Sequence, residues 1–437
     1  MFYAAFLIIL FTSFTILAWR NFHLSLVLFC GLLPTYLLRF SLGPLPTTAL
    51  EIFTLILFSV WLLKKQWTSL PKLSFGRKPT SQLSWPALIL ILITLILATL
   101  HAPNIFTALG ILKAYYLEPA IILILTLSTF KKTTDWTSAF IALAASAVVV
   151  ALIGFAQYFT GLGFPLAWLA EHRVTSVFDF PNAVGLFLAP ILSMLLVFLF
   201  SLPKLSFGRK QKIELSSTLI ISIILISGAI ILAQTEAAFL AIPAALFLTL
   251  LLSKVSRTTK FVSTALVLLA LIGALTIPTI RTKILLHDVS GTARTQMWHE
   301  TLSMLRDHPL LGAGLSSFPT VIAPYHDASY FEIFQYPHNI FLNIWVELGL
   351  PGLLAFLIIS FFILKTLLPT KAQLWSQTQN RAELGRLMLL AAFFTIIIHG
   401  LVDVPFFKND LAMLTALLLS ATVYLNSQQT KVLPLAK

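Results

Sequence analysis

Apolar residues run along this chain in continuous blocks of roughly 15 to 27 residues, each closed by a short polar stretch. They do not alternate with polar ones as they would in the strands of a membrane barrel. Blocks this long read as helices that cross a bilayer. Thirteen can be drawn, near 2–19, 24–38, 46–63, 85–100, 110–130, 137–159, 183–200, 217–233, 237–253, 261–279, 338–364, 387–402 and 410–427. Several sit at the lower length limit for crossing, about 17 residues. The pattern therefore predicts an all-α, polytopic helical membrane protein with about 12–14 transmembrane helices. It forms a single membrane domain over 1–437, with one long extracytoplasmic loop, 280–337, inserted between spans.

Composition supports this reading. Hydrophobic residues make up 58% of the 437 and charged residues only 10%, with a mean hydropathy of +0.93. A chain so poor in charge cannot clothe a soluble surface. The formal net charge of +13 does not point to nucleic acid, because the cations sit in short loops between apolar blocks. There they set orientation. Placing the loop of Lys64, Lys65, Lys72, Arg77 and Lys78 in the cytoplasm, and alternating from there, puts most of the 29 Lys and Arg on that side. The lone cysteine, Cys30, excludes an internal disulfide. The first block lacks a basic leader and a small-residue cleavage site, and reads as a retained span. The decapeptide SLPKLSFGRK occurs at both Ser69–Lys78 and Ser201–Lys210. Its flanks differ, so it reads as a copied cytoplasmic loop rather than a repeated fold unit.

The orientation directs attention to three extracytoplasmic segments, Thr160–Asn182, Arg281–Pro337 and Asp403–Asn409. In the second, Thr292 can cap a helix that ends before Pro309. Trp298, Leu302 and Leu305 share a face with Met297 and Met304 beside it, an amphipathic pattern suited to the membrane surface. Arg294 falls in the first turn, where a cation opposes the helix dipole unless an anion is near. Gly312 and Gly314 permit a tight return. In the first segment Arg173 can grip a phosphate bidentately, and Pro181-Asn182 is a helix entry.

The block that begins YPHNIFLNIWVELGLPG is unusually polar for a span. Asn339, Asn343 and Glu347 are spaced four apart and form one stripe, which should face other helices or a wet cavity. His338 stands at its head, and an imidazole can take up a proton near neutral pH. His399 and Asp403 are also four apart and can pair. Lys113 and Glu118, five apart, point to different faces of a regular helix, though Lys113 can add positive charge to the same cavity. Phosphate-binding glycine loops and HExxH are absent. His287, His299, His308 and His326 are scattered without a metal-ligand spacing.

Taken together, these elements resemble the O-antigen ligase / O-antigen polymerase superfamily of bacterial membrane glycosyltransferases. The match is strongest over Arg294–Gly352: Arg, Trp four residues on, Pro-Leu-Leu-Gly-x-Gly, His-Asn at the head of a span, and Glu-x-Gly-x-x-Gly. Arg173 with Pro181-Asn182, and His399 with Asp403, resemble further family elements. One departure is clear. Where the family carries a Ser-Arg-Gly-like turn, this chain reads Gln234-Thr235-Glu236-Ala237, with an acid in place of the cation.

The resemblance implies a multi-pass enzyme of the bacterial cytoplasmic (inner) membrane with its active site on the extracytoplasmic face. It implies transfer of a glycan from a polyprenyl pyrophosphate to a hydroxyl on a lipid, glycan or protein acceptor, without a metal or other cofactor. His338 would be the general base. Arg173, Arg294, Arg281 and Lys113 would bind the donor phosphates. Asn339, Asn343, Glu347, His399 and Asp403 would orient the base or the sugar. A polysaccharide polymerase, a solute transporter and an inactive scaffolding relative are the competing expectations.

Overall fold

The computed structural model describes residues 2–43, 45–66, 85–202, 208–327, 332–368 and 381–432. The first copy of the decapeptide lies outside the described residues, as does half of the second, 203–207. The protein is a multi-pass helical membrane protein, as the apolar blocks predict. Among the described residues nine helices are long and apolar enough to cross a membrane, and four shorter apolar helices accompany them.

The chain opens with α1 (Phe2–Arg20) and α2 (Phe22–Gly31), joined at Asn21, whose side chain caps α2 by accepting from the Leu24 N–H. The block predicted over 24–38 is not one regular helix. α2 stops after ten residues, about 15 Å of rise, and a 3₁₀ turn over Leu33–Leu37, with Pro34 at its start, continues the path. A two-stranded hairpin, β1 (Arg39–Leu42) and β2 (Leu45–Thr48), then leads into α3 (Ala49–Leu63). Thr48 caps α3 by accepting from the Glu51 N–H.

There follow α4 (Trp85–His101), α5 (Ile105–Ile111), a π-helical turn over Leu112–Leu117, α6 (Glu118–Thr129), α7 (Thr133–Thr160) and the short α8 (Leu166–Leu169). The π turn changes an expectation. Its wider pitch brings residues five apart onto one face, so Lys113 Nζ lies 4.0 Å from Glu118 Oε1 instead of pointing away from it. α9 (Pro181–Ser201) begins at the predicted Pro181 and is the most enclosed helix, packed by α7, α10 (Arg209–Leu232), α11 (Glu236–Leu252) and α17 (Arg381–His399). α12 (Arg257–Thr276) has no buried residue.

Between α12 and α16 (Ile340–Leu367) the chain forms α13 (Pro278–Ile284), α14 (Val289–Asp307) and α15 (Phe318–Ile322); α18 (Asn409–Val432) closes the fold. α14 is capped by Asp288, which accepts from the Gly291 N–H, and not by Thr292. Starting α14 earlier places Arg294 in its second turn. Nor does α14 offer its apolar face to lipid. Met297, Met304 and Leu305 are buried with Phe318, Ile322 and Val346 of α15 and α16, and the Trp298 indole donates to Pro337 O at 2.8 Å.

α16 is broken at Gly349, which has φ 70° and ψ 178°. An unbroken helix would bond Leu350 N–H to Val346 C=O. Here both groups are satisfied by the loop after α14: Ala313 N–H donates to Val346 O at 2.7 Å, and Leu350 N–H donates to Pro309 O at 3.2 Å. The Trp345 indole adds a bond to Pro309 O at 2.8 Å. Leu315 N–H continues to Ala98 O of α4, so the loop is wedged between α4 and α16. The Pro-Leu-Leu-Gly-Ala-Gly and Gly-Leu-Pro-Gly segments are two halves of one joint.

Polar contacts separate the two ends of the bundle. At one end Tyr3 OH donates to Arg39 O, and Arg39 meets Asp179. At the other, Lys64 lies over Trp19 and Lys254 pairs with Glu383 at 2.8 Å. Segment 160–182, the described residues of 281–337 and the 400–408 turn lie at the first end, joined by the contacts below.

Candidate functional site

The site is built on the turn between α17 and α18. Four consecutive residues of it each receive a hydrogen bond from a different donor. Ile340 N–H donates to Gly400 O at 2.7 Å. Asn339 Nδ2 donates to Leu401 O at 2.9 Å. Arg294 Nε donates to Val402 O at 3.0 Å. His338 Nδ1 stands 3.3 Å from Asp403 Oδ1. The turn thus draws the head of α16 and the second turn of α14 to one place.

Asn339 is the N-cap of α16 rather than part of its polar stripe, its Oδ1 accepting from the N–H groups of Phe341 and Leu342. His338 precedes it with φ 45°, a left-handed conformation uncommon for a non-glycine residue. The residue is held there from both sides, by the Trp298 bond to Pro337 O and by the Asn339 bonds. Tyr336 and Phe334 pack on its ring, with centroids at 4.8 and 5.5 Å. The expected i, i+4 pair of His399 and Asp403 does not form. Asp403 lies in the turn after α17 and reaches His338 instead, while His399 Nε2 is buried without a hydrogen-bond partner among the described residues.

Asp403 is 3% exposed. Burial alone would raise its pKa, but the His338 hydrogen bond, the charges of His338 and His399, and the Val404 N–H outweigh burial and hold the carboxyl below its usual range. It therefore stays ionised at neutral pH, and a carboxylate on Nδ1 fixes the ring with its proton there and its lone pair on Nε2. A carboxyl with a depressed pKa in the fold is protonated more readily in the unfolded chain. Its stabilising contribution is complete above its ordinary value, about 3.8, and is lost as pH falls below that toward the folded-state pKa. Thermal melts of detergent-solubilised protein between pH 5 and 3 should show a steeper acid loss for wild type than for Asp403→Asn.

Arg294 has no carboxylate within 4.0 Å among the described residues; besides Val402 O it donates only to Ser290 Oγ, from Nη1 at 2.7 Å. Arg281 is exposed, with no side-chain partner among the described residues. Arg173 is more committed. It donates to Ala233 O, Gln234 O and Asn182 Oδ1, meets Glu171 at 3.4 Å, and lies over the Trp168 ring. It clamps the turn between α10 and α11. Lys113 pairs with Glu51 at 2.9 Å. Glu51 also accepts from Thr47 and Asn409, and sequence reasoning missed it.

Lower in α16, Asn343 is fully buried, and both its amide atoms lack a partner among the described residues. Glu347 accepts from Ser316 N–H at 3.3 Å, while its other oxygen is buried without a partner among the described residues. Both face the protein interior, as the stripe predicts, but they are not part of the 400–403 turn. Glu236, the acid at the position where a cation was expected, opens α11 and forms an ion pair with Lys283 of α13. A cation therefore does stand at that turn, delivered from another helix.

A membrane bundle that fixes an Asp–His pair and a carboxylate-free Arg at one end is suited to proton transfer beside an anion. Residues 221–357 match the family model described as O-antigen ligase. In that segment the chain is similar to the O-antigen ligase superfamily, whose members are glycan-transferring membrane enzymes of ligase or polymerase type. The segment holds Arg294, His338 and both halves of the α14–α16 joint, but neither Arg173 nor the 400–403 turn. No curated protein matches the chain.

Proposed function

We infer that this protein moves a glycan from a polyprenyl pyrophosphate carrier to an acceptor hydroxyl, on the extracytoplasmic face of a bacterial cytoplasmic membrane. The observation that carries the reading is the convergence of His338, Asp403 and Arg294 on the 400–403 turn. His338 Nε2 takes the acceptor proton as the hydroxyl oxygen attacks the sugar C1. The C1–O bond to the pyrophosphate breaks, and its electron pair goes to the leaving oxygen. Arg294 stabilises that charge, with the exposed Arg281 as a further cation. Asp403 holds the ring's tautomer and faces the imidazolium that forms. Asn339 positions His338 through the turn. Arg173 and Lys113, whose donors are engaged, act by holding the α10–α11 turn and the Glu51 cluster. Asn343, Glu347 and His399 shape the polar interior below.

A transporter with a broken helix uses the freed backbone groups to line a substrate cavity. In α16 those groups are spent on the 309–313 loop, which favours an enzyme over a carrier.

The test is transfer in vitro from a defined polyprenyl-pyrophosphate-linked glycan, with products read by mass. Supplying a lipid acceptor or a growing glycan separates ligase from polymerase. Arg294→Ala should raise the donor KM roughly 10- to 100-fold, the loss of one charged hydrogen-bonding partner. Unchanged donor kinetics would remove Arg294 from the phosphate site.

A further inference from the structure

The turn that receives Arg294 ends in a cation of its own, Lys408. Its Nζ lies over the Phe180 ring, 5.3 Å from the centroid. Among the described residues no carboxylate pairs with that ammonium and no oxygen accepts from it. Other cations at the same end are engaged. Arg39 pairs with Asp179, Lys113 with Glu51 and Lys283 with Glu236, while Arg173 donates to Asn182 and to two carbonyls. We propose that Lys408 is a donor-binding residue, whose ammonium holds the phosphate of the pyrophosphate that bears the polyprenyl chain. This rests on the glycan-transfer reading above.

The position is an unusual one for a lysine. Residue 408 directly precedes α18, and its carbonyl accepts from the Ala412 N–H at 2.8 Å, so it is the N-cap. That place is normally taken by Ser, Thr, Asp or Asn, and a cation there opposes the helix dipole unless an anion is near. Asp410, in the first turn of α18, is 1% exposed and forms no ion pair with Lys408. The half-buried ammonium is left with its three N–H groups for an anion from outside.

The turn also sets which phosphate each cation meets. Between Val402 and Lys408 the chain doubles back, with Phe407 N–H donating to Val404 O at 3.3 Å and Lys408 N–H to Phe406 O at 3.0 Å. One short turn thus presents Arg294 at one end and Lys408 at the other. Arg294 stands on the side of the His338–Asp403 pair, where the C1–O bond breaks. Lys408 stands at the entry of α9, over a Phe180 that is 54% exposed, and apolar surface there suits the first units of a polyprenyl chain. The ring beneath the ammonium also holds it in place before the donor arrives.

The experiment uses the full-length protein in detergent and two sugar-free probes, polyprenyl pyrophosphate and polyprenyl monophosphate. Binding is read by displacement of a fluorescent polyprenyl pyrophosphate. Wild type should prefer the pyrophosphate by about tenfold or more, the loss of one charged contact. Lys408→Met, which keeps an apolar stem on Phe180, should bind the two probes alike. It should raise the donor KM by a similar factor and leave the acceptor KM unchanged. Lys408→Arg should keep most of the preference. A lysine that only anchors α18 or meets lipid headgroups would change the melting temperature and not the preference. An unchanged preference in Lys408→Met would therefore overturn the assignment. Failure of wild type to bind either probe would remove the donor reading, and the role of Lys408 with it. His338→Ala should keep the full preference. If that variant transfers normally while Lys408→Met loses the preference, the base assignment falls and the lysine's role stands.

Discussion

His338→Ala is expected to lower the rate of glycan transfer by roughly 10²–10⁴-fold, the usual contribution of a positioned acid–base group, while the protein still inserts and folds. The side chain is only 20% exposed, but its single polar partner among the described residues is Asp403. Removing the ring leaves Asp403 with the Val404 N–H bond at 2.8 Å. The backbone offers a control that separates chemistry from strain. Because residue 338 has φ 45°, His338→Gly relaxes the local conformation and should melt above His338→Ala. It should be as inactive as His338→Ala. Transfer at the wild-type rate in either variant, measured by product mass, would show that the base is another group.

Gly349→Ala is expected to destabilise the protein by about 2–5 kcal/mol, from a strained left-handed alanine and an overpacked contact. A Cβ added at Gly349 would lie 1.9 Å from Leu310 O, and the residue's φ is 70°. Gly312→Ala should act in the same direction from the other half of the joint, because its Cβ would lie 2.2 Å from Val346 O. Gly110→Ala is the control. Nothing lies within 4 Å of its added Cβ, and alanine in a helix is favoured by up to about 1 kcal/mol. The readout is the thermal unfolding of solubilised protein. Equal melting temperatures for Gly349→Ala and Gly110→Ala would mean that the loop is not docked on α16.

Local pattern made the helices legible. Each of the thirteen apolar blocks contains a helix, because continuous apolar runs have few other outcomes in a bilayer, although the 46–63 block begins in strand β2. Pairings between distant residues were not legible. Asp403 was matched with His399 by helical spacing, yet the helix ends at His399 and the turn aims Asp403 at a residue 65 positions away. The Gly349 break was visible as Gly-Leu-Pro-Gly, but nothing local says that residues 309–313 satisfy it. Glu51 was hidden by drawing a span from 46. A Thr three residues before a Glu was the available signal, since Thr48 caps α3 and Glu51 follows at its third position. The Lys113–Glu118 approach required a π turn, which carries no sequence signature as clear as a cap. At Glu236 the charge was read correctly, but its partner Lys283 comes from another helix.

The α14–α16 joint also bears on how the protein is made. Residues 309–313 leave the ribosome before residues 346–350, so the loop is already synthesised when the second half of the joint emerges. If α16 kinked in lipid without that loop, the Val346 carbonyl and Leu350 amide would be exposed in hydrocarbon, each at several kcal/mol. A straight helix avoids that exposure but has to accommodate Pro351, which has no N–H for the Glu347 carbonyl and disfavours an unbroken helix there. The bend and the loop therefore depend on each other, each leaving buried backbone groups unsatisfied without its partner.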